Sequence, residues 1–150
     1  ANLAALLEIE PRAITNWFWV AFIDAFDWVV EPNVLAMGVF ATPIMTTKPY
    51  ISGSNYINKM SDYCKGCVFH PKKTCPITRL YWSYLARHEK KLSGNIRLRM
   101  ILSTLRRRSS EKKAEDAKIY QKTIEILLEG KPLTPELYAN ENPTKVKSEG

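Results

Sequence analysis

Three cysteines, the only ones in the chain, fall within twelve residues as Cys64, Cys67 and Cys75. They lie in the stretch Asp62-Tyr63-Cys64-Lys65-Gly66-Cys67-Val68-Phe69-His70-Pro71-Lys72-Lys73-Thr74-Cys75-Pro76. Two thiolates separated by two residues can wrap one corner of a metal site, and Gly66 permits the tight turn between them. A third thiol follows after a short polar loop. Three cysteines are too few and too odd in number for a disulfide scaffold, which points to a reducing, cytoplasmic setting. Two metal readings follow, and the spacing does not choose between them. Cys64, Cys67, His70 and Cys75 could complete a Cys3His zinc site. Alternatively, the three cysteines hold an iron–sulfur cluster whose fourth ligand comes from elsewhere, and Cys75-Pro76 matches the Cys-Pro ending of many cluster-binding runs. Inert, buried thiols are the plain alternative.

Around this loop the chain reads as all-α. Apolar periodicity predicts helices over 2–9, 11–30, 54–63, 77–92, 95–107 and 110–128. Pro11 suits a first helical turn, and Glu31-Pro32 is expected to end the long second helix. Gly94 and Gly130 read as helix C-caps. Pro, Asn, Lys and Glu dominate from Lys131 onward, so 131–150 is expected to be an extended, largely disordered tail. The chain enters helical pattern at Ala1-Asn2-Leu3-Ala4-Ala5-Leu6-Leu7 with no initiator Met and no cap, as the C-terminal piece of something larger would. The most apolar stretch, Ala13 to Val30, carries Asn16, Asp24 and Asp27 and makes a poor membrane span, so no membrane partner is expected.

Charge is distributed unevenly. The formal net charge is +7, yet residues 1–75 hold six basic and six acidic side chains. Pro76 to Arg108 holds nine Lys or Arg against one acid, Glu89. Such a block favours a polyanion, nucleic acid before membrane surface, although a solvated helical face reads the same way. Lys48, Tyr50, Arg79, Arg87 and the Arg106-Arg107-Arg108 run are candidates to grip phosphates and stack bases. His88 lies four residues after Tyr84 on an apolar face and reads as a packing residue.

A second cluster is aromatic. In the helix expected over 11–30, positions 17, 21, 24 and 28 share one face, which sets Asp24 between Trp17 and Trp28. A carboxylate on an apolar stripe needs a partner, either a neighbouring helix or arginine, or a cofactor.

Taken in order, these residues resemble the iron–sulfur bacterial cryptochromes and photolyases, the prokaryotic (6-4) photolyase-like family. The matching string runs from Trp17 through Asp24-Ala25-Phe26-Asp27-Trp28-Val29, Pro32-Asn33-Val34-Leu35-Ala36-Met37 and Thr47-Lys48-Pro49-Tyr50. It closes with Tyr56-Ile57-Asn58-Lys59-Met60-Ser61-Asp62-Tyr63-Cys64, Cys67, Cys75-Pro76 and Leu80-Tyr81-Trp82, covering roughly residues 1 to 105. The resemblance implies an all-α fold, with residues 1–130 forming the C-terminal part of a helical catalytic domain that holds FAD and a [4Fe–4S] cluster. It implies Cys64, Cys67 and Cys75 as three cluster ligands, with a fourth cysteine and an antenna-chromophore domain upstream. Asp24 and Asn33 would sit near the isoalloxazine, and Trp17 among the electron-transfer aromatics. Met37 and Tyr50 would line the lesion pocket, with Tyr56 near the path between cluster and DNA. The implied activity is light-driven repair of pyrimidine dimers, above all (6-4) photoproducts, in UV-damaged DNA. A cryptochrome-type photoreceptor without repair and a zinc-stabilised nucleic-acid-binding module are the alternatives. Phe18 stands where family members often carry an electron-transferring tyrosine, and the Cys67–Cys75 loop is shorter than theirs.

Overall fold

A computed structural model of the chain describes residues 1–42 and 46–139. The helices in chain order are α1 (Asn2–Leu6), α2 (Pro11–Ala21), α3 (Asp27–Val30), a π-helical segment (Glu31–Gly38), α4 (Ser54–Met60), α5 (Ile77–Arg87) and α6 (Glu89–Leu92). A 3-10 turn (Ile96–Leu98), α7 (Arg99–Arg107), α8 (Ser110–Leu128) and α9 (Pro135–Ala139) follow. No strand occurs among the described residues, so the fold is all-α as the periodicity predicts.

The core is built around α5, which packs along α8 and against α1, α4 and α7. Leu80, Tyr84 and Leu85 of α5 meet Leu6 and Leu7 on one side and Leu92, Leu98, Leu102 and Leu105 on the other. These positions recur three and four residues apart, so each helix turns one stripe inward. The long α8 buries Asp116, Ile119, Thr123 and Ile126 along one line. Its ends follow ordinary capping chemistry. Ser109 accepts a hydrogen bond from the Lys112 amide at 3.4 Å, and Gly130 closes the other end at φ +69°, a conformation a side chain would resist. Gly94 stays out of the left-handed region, so it follows α6 without forming such a cap.

Four elements differ from the sequence reading. The helix expected over 11–30 stops at Ala21, and Phe22 is extended at φ −129°, ψ 134°. No glycine or proline marks the break. It lets α3 and the π-helical segment fold back on α2, burying Ile14, Ala25, Val30 and Ala36. Pro32 does not end the helix: it is the second residue of a wider, π-helical segment that continues directly from α3. The helix expected over 77–92 breaks at His88 into α5 and α6. Within the expected tail, residues 135–139 are helical and Tyr138 is buried to 2% exposure, while 140–150 lies outside the described residues.

Candidate functional site

The loop after residue 45 is held in place before it carries any chemistry. The Thr46 hydroxyl donates to the Lys48 carbonyl at 2.9 Å, and the Asn2 side chain brackets Ser52 with two backbone bonds of 2.8 and 3.2 Å. The Asn95 side-chain amide donates to the Thr47 carbonyl. These bonds shape a cleft of about 490 Å³ whose lining includes Lys48, Pro49, Tyr50, Tyr56, Tyr81 and Trp82. Tyr50 and Tyr56 are both 59% exposed, so their ring faces are open to a ligand. Burial pushes the Tyr81 phenol above its ordinary value, so it stays a protonated hydrogen-bond donor at neutral pH. Four aromatic side chains with one lysine suit a flat, anionic ligand such as a nucleotide.

One wall of the cleft is braced from behind. Arg108 lies over the Trp82 ring at 4.8 Å and donates to Asp116 at 2.6 Å. Arg79 reaches the same carboxylate at 3.1 Å and Glu115 at 3.2 Å. Asp116 is 1% exposed, and its burial raises its pKa against the pull of the two guanidinium groups. Arg87 is equally engaged. It bonds Glu8 at 3.1 Å, Ser83 at 2.7 Å and the Leu6 carbonyl at 3.3 Å, and stacks at 3.6 Å over Tyr120. The two arginines chosen from the sequence as phosphate contacts therefore brace α5 against α8 and α1. His88 joins the same network through Glu8 and packs on Tyr84, as a core histidine does.

The cysteine loop connects α4 and α5 and is tightly folded. The His70 carbonyl accepts from the amides of Lys73, Thr74 and Cys75, each at 3.1 Å, and its own amide donates to Thr74 at 2.8 Å. Ser54, at the start of α4, donates to the Pro71 carbonyl at 2.5 Å and shares a 2.7 Å bond with Thr78 of α5. A Cβ on Gly53 would stand 3.1 Å from the Thr78 hydroxyl oxygen, so glycine permits this approach. Burial raises the Cys75 thiol above its ordinary value, against hydrogen bonds from the Ile77 amide and the Ser54 side chain that lower it. The Phe69 amide lies 3.5 Å from the Cys67 sulfur, and the Ile77 amide acts on Cys75. Among the described residues, no three His, Cys, Asp or Glu side chains converge as a ready-made metal group. The donor chemistry nevertheless fits a thiophilic centre, with three thiols and backbone N–H groups aimed at two of them. The His70 side chain is exposed, and its Nδ1 accepts from the Lys72 amide at 3.2 Å.

The remaining predicted residues lie in the N-terminal unit. Trp17 is 59% exposed and makes edge contacts with Phe18 at 5.2 Å and Phe22 at 5.8 Å. Because the helix breaks at Ala21, Asp24 sits in the α2–α3 turn, exposed, and shares no helical stripe with Trp28. Asn33 donates to the Val29 carbonyl at 2.8 Å, and Met37 lies half-buried in the π-helical segment. Thus the structure joins Lys48, Tyr50 and Tyr56 in one cleft and the three cysteines in one loop. Sequence reasoning about chemistry missed Tyr81 and Trp82 as cleft walls. Their spacing of three and four residues from Thr78 on one helix was the available signal.

Comparison with known proteins adds a relationship. The chain is 42% identical over 116 residues to a (6-4) photolyase of Agrobacterium fabrum, across 73% of this chain and 23% of that protein. It is 43% identical over 65 residues to an uncharacterized protein of Acanthamoeba polyphaga mimivirus, across 43% of this chain and 53% of that one. The chain thus spans less than a quarter of the photolyase and about half of the viral protein. No family model matches it. No helix among the described residues is long and apolar enough to cross a membrane.

Proposed function

We propose that this chain is the C-terminal part of the helical catalytic domain of a cytoplasmic DNA photolyase, a lyase that reverses UV-induced pyrimidine dimers, (6-4) photoproducts above all. The observation that carries the reading is the 42% identity to a (6-4) photolyase, whose matching length takes in most of this chain. The cleft supports it, because it brings together Lys48, Tyr50 and Tyr56, the residues expected to meet damaged DNA. A lesion turned out of the stack needs aromatic faces on either side and a cation for its phosphate. Met37 would complete the lesion pocket in the whole protein.

Two cofactors belong to this reading. FAD would lie against Asp24, Asn33 and Trp17, an exposed carboxylate, amide and indole whose chemistry suits a flat apolar ring with an N–H edge. When bound, it supplies light-driven one-electron chemistry to the lesion. Cys64, Cys67 and Cys75 would hold three corners of a [4Fe–4S] cluster, with the fourth ligand and an antenna chromophore supplied from outside these 150 residues. The chain's own part is to exclude water, orient the lesion and hold its phosphates. The exposed aromatic surface of α2 and α3, with Trp28 at 77% and Phe26 at 56%, would be covered by upstream sequence of the same protein.

Metal and flavin analysis of the full-length protein tests the reading. Bound flavin together with iron and acid-labile sulfide supports it. Cys64→Ala or Cys75→Ala should abolish the iron, and His70→Ala should leave it intact. Zinc lost on His70→Ala, with no flavin, would replace the photolyase reading with a zinc-stabilised binding module.

A further inference from the structure

The basic block of the sequence separates into two populations in the structure. Arg79, Arg87 and Arg108 turn inward onto Asp116, Glu115 and Glu8, and Arg106 pairs with Glu89 at 2.7 Å. Lys90, Lys91, Arg97, Arg99 and Arg107 are exposed, and none has a carboxylate within ion-pair distance among the described residues. All five belong to one corner of the fold, from α6 through the 3-10 turn to α7. On α7, Leu102 and Leu105 face the core. Arg99, Ser103 and Arg107 follow one another at intervals of four on the opposite side. At 1.5 Å per residue the two arginines are about 12 Å apart along the axis. A duplex carries a phosphate charge every ~1.7 Å of its axis, so such a row faces several phosphates.

This corner is tied to the cleft by one side chain. The Asn95 amide donates to the Thr47 carbonyl, next to Lys48 on the cleft rim. The carbonyl oxygen of the same side chain accepts the Arg97 amide at 3.0 Å. A single residue therefore fixes both the loop that carries Lys48 and the turn that carries Arg97.

We propose that the cleft and this corner form one continuous nucleic-acid surface. Arg97, Arg99, Arg107, Lys90 and Lys91 hold the duplex backbone flanking the base taken up by the cleft, and Asn95 is the positioning residue that sets the two in register. The proposal rests on the nucleic-acid reading above and adds the surface that does the holding. Charge complementarity selects a polyanion. The corner's exposed apolar side chains, Ile96 and Met100, are too few for a membrane-inserting face, and the surface continues into aromatic rings that suit bases.

The test is duplex binding by the full-length protein across a salt series, followed by fluorescence anisotropy. The variant Arg97→Gln/Arg99→Gln/Arg107→Gln should bind damaged and undamaged duplexes at least tenfold more weakly. Its plot of log affinity against log salt should be shallower by about 0.9 for each phosphate no longer neutralised. Lys112→Gln/Lys118→Gln on α8 should bind within twofold of the parent. Asn95→Ser, which keeps a capping oxygen but removes the amide donor, should weaken binding to the damaged duplex with the salt slope unchanged. The three arginines are exposed, so circular dichroism of the triple variant should not move. A triple variant that binds like the parent overturns the proposal while leaving the nucleic-acid reading in place. A parent that binds no duplex overturns both. Loss of binding to phosphatidylserine vesicles, with duplex binding intact, would assign the corner to a membrane and overturn the proposal.

Discussion

Glu8 occupies the left-handed region at φ 57°, where a non-glycine residue is strained, and its carboxylate explains why it is held there. It accepts from Arg87 at 3.1 Å and Tyr120 at 3.2 Å and is bonded to His88, so one side chain joins α1 to α5 and α8. Burial works to raise its pKa, but Arg87, His88 and Tyr120 outweigh this and hold the carboxyl below its ordinary value. A lowered folded-state pKa stabilises the fold at pH values above the ordinary one, and that contribution is lost as pH falls below it. In urea unfolding, the stability that wild type holds over Glu8→Gln should therefore be constant from neutral pH to about pH 5 and shrink below about 4.5. Ser54→Ala should cost about 1–3 kcal/mol, because it strands the Pro71 carbonyl and the Thr78 hydroxyl. Asp116→Ala leaves Arg79 and Arg108 facing a vacated buried site and should cost about 3–5 kcal/mol, read as a lower urea midpoint. None of these three residues announces itself in sequence, since each depends on partners between 8 and 112 positions away.

Among the elements, those with strong apolar period or clear capping chemistry were legible. Pro11 in the first turn of α2 and Gly130 after α8 stand where the sequence puts them, and the structure adds Glu10 and Ser109 as the caps of α2 and α8. The break at Phe22 was not legible, because folding α3 back on α2 is a packing outcome with no local breaker behind it. The short helix α9 was hidden for another reason: five residues give no period to read. Its position matters. Tyr138 packs edge-on against Phe69 at 6.0 Å and shares a 2.9 Å bond with the buried Thr123 hydroxyl. Helix α9 therefore clamps the cysteine loop onto α8. Tyr138→Ala should destabilise by about 3–5 kcal/mol and speed amide exchange across 68–75 before α5 is affected. Tyr138→Phe removes only the hydroxyl bond and should cost about 1 kcal/mol. Equal exchange in the loop of wild type and Tyr138→Ala would show that α9 does not hold it.

At the scale of the whole molecule, a basic, all-α body presents an aromatic cleft, a thiol-bearing loop and an exposed aromatic unit. The residues that make these surfaces were readable because cysteine spacing and aromatic clusters are local features. Which cations point outward was not, since Arg79 and Arg87 look like Arg97 and Arg99 until their acidic partners are placed. The same holds for Asp24, whose expected stripe vanished with the helix break. The account stands or falls on repair. The most direct measurement gives the full-length protein an oligonucleotide carrying a single (6-4) photoproduct, under blue light and in the dark, and separates the products by chromatography. Light-dependent return of the lesion to two pyrimidines, reduced at least tenfold by Tyr50→Ala/Tyr56→Ala with the flavin still bound, is the result this account predicts. Bound flavin that is reduced by light, with no lesion repaired, would contradict it and leave a photoreceptor in its place.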